Sequence, residues 1–407
     1  MTAATRAAER TFVGTVDSAP PASTIHLITC EYPPQLGGVS DFTRTIAERL
    51  AQSGRAVHVW APGLAGTVTE SCGVVVHREC GEFRSQDLRR IGLLLDADAP
   101  PRTLFLQWVP HGFGARAMNV RLCLWLRNRV LQDGDRLDVM VHEPFLPLRG
   151  SSLRAKIAGV VQRAMMASLL RSATVIWVST TSWSSRLRVF ARPHAQFFRL
   201  PVPNAFPVDR DVSQVARVRA EVSGSATTVV GHIGTYGTAT FSLVADALTR
   251  IATARTQAAF LLLGRGSKDA KERLEREYPV LAGRLSASGV LSGEAMSHHL
   301  QACDVMIQPY PDGASCRRTS LMAALAHGLA TVTTTGELTE SIWAELDAVE
   351  LVAAFDPETF ADRACTLIDN PARRAILGRL AASMYNDHFS ADRAMQLLAT
   401  RLDPVPA

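Results

Sequence analysis

From Thr24 onward, short runs of β-branched and aliphatic residues alternate with longer stretches in which apolar residues recur at helical spacing. Runs apolar at nearly every position suit strands covered on both faces, as in parallel sheets lying between helix layers. Such runs at 25–29, 57–60, 103–108, 138–141 and 174–178 predict the strands of a first domain. Between 41 and 53, Phe42, Ile46 and Leu50 recur every four positions and predict a helix. The stretch 201–212, PVPNAFPVDRDV, has three prolines and no period, so it reads as the link between domains. Beyond it the alternation restarts, with strands expected at 227–232, 258–263, 304–308, 330–333 and 349–352, and helices from Asp356 onward. The expected fold is α/β: two doubly wound, Rossmann-like domains facing a cleft. Their bounds are a disordered tail at 1–22, a first domain at 23–205, a second at 206–385 and a closing helix at 386–407 that packs back towards the first. Such sheets bind ligands beyond the carboxyl ends of their strands, so the chemistry should lie in the loops that follow them.

Composition narrows the picture. A chain of 407 residues, 47% hydrophobic, has material for two or three domains of roughly 150 residues. Lys and Arg total 43 against 38 acidic residues, and the resulting +5 is too even for a nucleic-acid binder. Seven scattered cysteines without a C-x-x-C pair argue against a zinc ribbon or disulfide framework and for a reducing compartment. No apolar run reaches the roughly 18 residues of a membrane span, and residues 1–24 lack the apolar stretch of a secretory signal. A cytoplasmic protein is expected.

The first strand runs into Cys30-Glu31-Tyr32-Pro33-Pro34-Gln35-Leu36-Gly37-Gly38-Val39-Ser40. Ser40 or Asp41 is expected to cap the following helix. Gly37 and Gly38 let the backbone approach a phosphate or sugar hydroxyl at that helix N-terminus, or form a tight turn with no ligand. G-x-G-x-x-G is absent, and no acidic residue closes the run Val57-His58-Val59-Trp60-Ala61, which argues against a dinucleotide site. His111 and His142 follow strands 103–108 and 138–141 and should face the cleft as hydrogen-bond partners or proton carriers, with Glu143 a lesser candidate. His298 and His299 fall in a helical stretch and are expected at the surface.

In the second half, the run Asp304 to Tyr310 is followed by Pro311-Asp312-Gly313-Ala314-Ser315-Cys316-Arg317-Arg318-Thr319-Ser320-Leu321-Met322-Ala323-Ala324-Leu325-Ala326-His327-Gly328 and a further strand. This segment resembles the signature of retaining GT-B glycosyltransferases of family 4. The EYPP-x-x-GG-V-S opening, Pro203-Asn204, the run 231–237 and Leu263-Gly264-Arg265-Gly266 agree in order along the chain. The resemblance implies an enzyme that moves a sugar from a nucleotide-sugar to an acceptor hydroxyl, with retention and without a metal. The acceptor class stays open among glycan, lipid-linked sugar and small molecule. The family's two motif glutamates fall on Ser315 and Ala323 here, which places the chain in a subtype with D-G-x-S-x-R-R-x-S-L-M-A-A-L-A-H-G.

By this resemblance the nucleotide would be held by Gly234, Thr235, Arg265, Ser315, Arg317 and Arg318, and the acceptor by the Gly37-Gly38 loop, with His111 and His142 near the reacting carbon. Arg317 and Arg318 start a helix, where cations oppose the dipole at roughly 0.3 to 1 kcal/mol each, a cost that a bound pyrophosphate would offset. Asp96-Ala97-Asp98 has the spacing of a metal-dependent transferase but lies away from the cleft, so no divalent ion is expected. The helix 151–171 carries Arg154, Lys156, Arg163 and Arg171 around a stripe of Leu153, Ile157, Val160 and Ala164. Core packing is expected of that stripe, with peripheral contact to a membrane and a lipid-linked acceptor as the alternative. Two rival functions remain: a degenerate sugar-nucleotide-binding protein without turnover, and a GT-B epimerase or phosphorylase. The phosphorylase is disfavoured because the second domain has only Lys268 and Lys271, both in a charged helix.

Overall fold

The computed structural model describes residues 24–402 apart from 36, 64, 101, 115, 116, 147–151 and 355. The tail expected at 1–22 lies outside the described residues. The first sheet contains β1 (Thr24–Ile28), β2 (Val57–Trp60), β3 (Gly66–Thr69), β4 (Val75–Arg78), β5 (Arg102–Trp108), β6 (Arg136–Val141), β7 (Val175–Val178) and β8 (Phe197–Arg199). Their order is β3-β4-β2-β1-β5-β6-β7-β8, parallel except where β3 turns back antiparallel on β4. The second sheet contains β9 (Thr228–Ile233), β10 (Ala258–Leu263), β11 (Leu285–Ala287), β12 (Val305–Gln308), β13 (Thr331–Thr335) and β14 (Glu350–Ala353). It is wholly parallel, in the order β11-β10-β9-β12-β13-β14.

Alternation along β1 divides the first core in two. Ile25 and Leu27 meet Phe42, Ile46 and Leu50 of the helix Gly38–Gln52 on one face, while Ile28 joins Trp60, Leu104 and Leu106 on the other. Each such fully buried side chain contributes roughly 1.5 to 3 kcal/mol. The second sheet is covered in the same way by the helix Thr238–Ala254, whose Val244, Leu248 and Ile251 pack on Phe260 and Leu262.

Four strands were not foreseen. β3, β4, β8 and β11 have four residues or fewer, and β3 is largely exposed, so neighbouring strands rather than an apolar run hold them in place. A second correction concerns the helix Leu153–Ser172. Its buried face is Ala158, Met165, Met166, Leu169 and Leu170, whereas the stripe Leu153, Ile157, Val160 and Ala164, expected in the core, faces solvent.

The lobes touch at several points. Leu338 of the second domain lies in the first domain's core cluster, and the Asn204 amide donates to the Tyr385 hydroxyl at 3.1 Å. After the helix Pro371–His388 the chain returns. In the helix Ala391–Leu402, Ala394, Leu398 and Leu402 pack among Ile25, Phe42 and Ile46, and Asp392 pairs with Arg49 at 2.9 Å.

Candidate functional site

Loops at the carboxyl ends of both sheets line two adjoining cavities. The first, about 540 Å³, opens between the lobes and is lined by Glu31, Gly38, His111, His142, Glu143 and Arg317 among others. The second, about 320 Å³, lies in the second domain and is lined by His232, Gly234, Thr235, Tyr310, Arg317 and Arg318 among others. Arg317 belongs to both.

At the first cavity, the helix Gly38–Gln52 begins three residues earlier than expected, and neither Ser40 nor Asp41 caps it. The Glu31 carboxylate does so instead, accepting from the Val39 and Ser40 amides at 3.0 Å each. It fills the anion position that was expected to receive a ligand. Gly37 is needed for space: a Cβ there would sit 2.2 Å from Glu31 Oε1. Gly38 lines the cavity and Gly37 does not.

His142 follows β6, nearly buried, edge-on to Phe42 at 4.9 Å. Its Nε2 bonds Gln107 Oε1 at 3.0 Å, so Nε2 carries the proton and Nδ1 keeps a lone pair. Burial pulls this imidazole down to about 3, which keeps it neutral. His111 is exposed on the cavity lining.

At the seam, Asp312 holds both arginines. Arg317 Nη2 donates to Asp312 Oδ2 at 2.6 Å, and Arg318 Nη2 donates to Asp312 Oδ1. Burial pushes this carboxyl up, but Arg318 and Arg317 outweigh it and hold it below the usual range. Arg317 Nη1 also reaches Glu143 Oε1 of the first domain at 3.0 Å, and Arg318 lies 4.5 Å from the Tyr310 ring centroid. Both guanidinium groups are at least three-quarters buried and present to the cavities. The helix Thr319–Ala326 beside them has no side-chain cap, and its first residues, Thr319 and Ser320, line the second cavity.

Two loops meet in the lining of the second cavity. Gly264 has φ +99°, and a Cβ there would come within 2.7 Å of the Gly234 carbonyl oxygen. His232 is almost fully buried, its Nδ1 bonded to the Ile307 carbonyl at 2.9 Å. The remaining nitrogen, Nε2, has no partner and lies against Gly234. Burial lowers the pKa to about 4, against the opposing effect of the Ile307 bond, so Nε2 offers a lone pair to a ligand N–H or O–H.

Besides Gly37, two residues expected to hold the donor fall elsewhere. Ser315 is wholly buried and outside the cavity lining, because the turn after Gly313 folds it inward beneath the helix. Arg265 is exposed beyond Gly264 and also outside that lining. His298 and His299, expected at the surface, are half-buried, His298 bonding Asp209 at 2.8 Å. Asp312, Glu31, Gln107 and His232 were not singled out from the sequence. Their only signal was an acidic or polar residue at a strand end or in the loop that follows.

Away from the cleft, Asp96 pairs with Arg129 and Arg102. Asp98 comes within one ion's reach of His26 and His58. The Trp60 indole N–H donates to His26 Nδ1 at 3.3 Å, so in neutral imidazole the proton sits on Nε2, the atom facing Asp98 at 3.5 Å. In this form His26 Nε2 carries a proton and is not an open ligand atom.

Residues 227–370 match the family model described as Glycosyl transferases group 1. A sucrose-phosphate synthase from Thermosynechococcus elongatus superposes with a TM-score of 0.71 at 16% identity, over 93% of this chain and 98% of that one. HepE of Anabaena, in complex with UDP and glucose, gives 0.66 at 14% identity over 94% and 100%. WaaG, a glycosyltransferase involved in lipopolysaccharide biosynthesis, gives 0.62 at 14% over 92% and 99%. No curated protein matches the chain. The architecture is therefore GT-B, and residues 227–370 of the second domain are similar to the glycosyl transferases group 1 model.

Proposed function

We propose that this GT-B enzyme transfers a sugar from a nucleotide-sugar donor to an acceptor hydroxyl, with retention of configuration and with cationic side chains in place of a divalent ion. The observation that carries the reading is the Asp312 clamp, which presents Arg317 and Arg318 at an uncapped helix N-terminus on the seam between the two cavities. The UDP complex of the HepE neighbour supports a nucleoside diphosphate as the donor's leaving group.

The donor occupies the second domain, its diphosphate against Arg317, Arg318 and the amides of Thr319 and Ser320. These groups are fixed before the reaction, so they stabilise negative charge as it develops on the leaving diphosphate without reorganising. His232 Nε2 accepts from a donor hydroxyl or base N–H. The acceptor enters the first cavity beside His111 and His142, whose neutral imidazole accepts a hydrogen bond from a hydroxyl through Nδ1 and so orients it. The diphosphate replaces Glu143 on Arg317, so donor binding frees a carboxylate at the acceptor side.

Calorimetry against a panel of sugar nucleotides tests the donor, and release of nucleotide in the presence of acceptor tests turnover. The second reading, nucleotide binding without transfer, is favoured by one observation: Ser315 and Ala323, which stand where the family's glutamates would be, are both wholly buried. Tight donor binding with no nucleotide release in any acceptor mixture would establish it.

A further inference from the structure

Charge is unevenly spread along the chain. Residues 99–208 hold fifteen basic and four acidic residues, a net +11, although the whole chain is only +5. From 144 to 208 no acidic residue occurs. Of the four upstream, Asp135 and Asp138 are buried in pairs with Arg102, Arg129 and Arg136, Asp133 pairs with Arg129, and Glu143 is held in the cleft by Arg317.

Much of this unopposed charge lies on two adjoining helices of the first domain, Val120–Gln132 and Leu153–Ser172. Their outward faces are apolar as well. Val120, Leu124 and Leu131 project from the first, and Leu153, Ile157 and Val160 from the second, with Leu153 74% exposed and Leu131 61%. Single exposed aliphatics are ordinary, but two adjacent stripes flanked by arginines are not. A groove of about 940 Å³ runs between the helices, lined by Leu124, Leu131 and Ala164 with Arg127, Arg171 and Arg192 and no acidic residue. Arg154 and Lys156 stand exposed beside the second stripe.

We propose that this face docks the protein on an anionic lipid bilayer, with the stripes entering the headgroup boundary and the five basic side chains holding lipid phosphates. The occupant follows from chemistry. Apolar side chains ringed by cations match a surface that is hydrocarbon within and phosphate without, and a lone anion would leave the stripes in water. Placement agrees, because both helices begin after the carboxyl ends of β5 and β6, so Val120 and Leu153 lie towards the cleft. A bilayer seated there brings a lipid-linked acceptor to the His111 and His142 cavity. That corollary rests on the transfer reading; the docking does not.

Co-sedimentation of the full chain with phosphatidylcholine vesicles, with and without phosphatidylglycerol, at low and high salt, is the test. The intact protein should sediment with the anionic vesicles alone and be released by salt. Replacing Arg127, Arg171 and Arg192 by Ala should lower partitioning about a hundredfold, and Leu124→Ser with Ile157→Ser and Val160→Ser at least tenfold. All these side chains are on the surface, so thermal midpoint and donor affinity stay at the wild-type values. Three results would overturn the inference: no sedimentation of the intact protein, undiminished binding by the serine variant, or a dimer in sedimentation velocity that the serine variant dissolves. If vesicle binding persists while every sugar nucleotide fails to bind, the docking stands and the transfer reading falls.

Discussion

The helix Gly38–Gln52 of the first domain begins with its amides already bonded to the Glu31 carboxylate, whereas the helix Thr319–Ala326 of the second begins with no side-chain cap and two guanidinium groups beside it. Both ends face the cleft cavities and carry the same partial positive charge. The first has taken its anion from its own loop, so it is a structural end. The second gathers two arginines where the dipole already disfavours them, with Asp312 shared between both and Glu143 of the other lobe on Arg317. The difference separates a helix start closed by its own loop's carboxylate from one left uncapped beside two arginines.

The largest expected effect comes from breaking the second end. Arg317→Ala together with Arg318→Ala should cost the donor about 3 kcal/mol or more, since charged hydrogen bonds contribute roughly 1.5 to 3 kcal/mol each. Titration calorimetry reads this, and an unchanged affinity would remove the diphosphate assignment. Acid acts next, and mainly on the first domain. His26 and His142 are held at about 3 and His77 at about 4, chiefly by burial, against an unfolded value near 6.5. Unfolded imidazoles therefore take up protons that the folded ones refuse, so stability is full above about pH 6.5 and falls steadily towards pH 4. Urea denaturation across that range should show the midpoint dropping, and a flat profile would mean these rings are not buried neutral.

Glu31→Ala sharpens the comparison from the other side. It leaves the Val39 and Ser40 amides open and should lower stability by about 1 to 2 kcal/mol while donor affinity holds. Loss of donor binding in that variant would show that the two ends are not independent. The smallest effect belongs to Glu143→Gln. Because that carboxylate is nearly half exposed, releasing Arg317 from it should tighten the donor only a few-fold.

Central strands were legible because being covered on both faces demands unbroken apolar runs such as Ala258–Leu263, whose bounds match the structure residue for residue. The edges β3, β8 and β11 were not, since three or four residues with one face in water leave no such run. Periodicity grouped Leu153, Ile157 and Val160 correctly on one helical face, but it cannot say which of two apolar faces meets the core. Met165, Met166, Leu169 and Leu170 fill more volume and took the inner position. At the site, the arginine pair stood out as cations at a helix start. The carboxylates that organise the helix starts did not, because Glu31 lies eight residues before the Val39 amide it holds and Asp312 five before Arg317, distances that only the folded loops close.

The chain crosses between lobes twice, once through residues 200–211 and again where Pro371–His388 gives way to Ala391–Leu402. A body tethered to another at two places has fewer ways to move than one tethered at a single link. Two crossings restrict how the lobes can part, and the terminal helix serves as the lower pin. Clipping that helix would uncover Ile25, Phe42 and Ile46 of the first domain and release the lower pin at once, so its loss should show as lowered stability together with blunted catalysis.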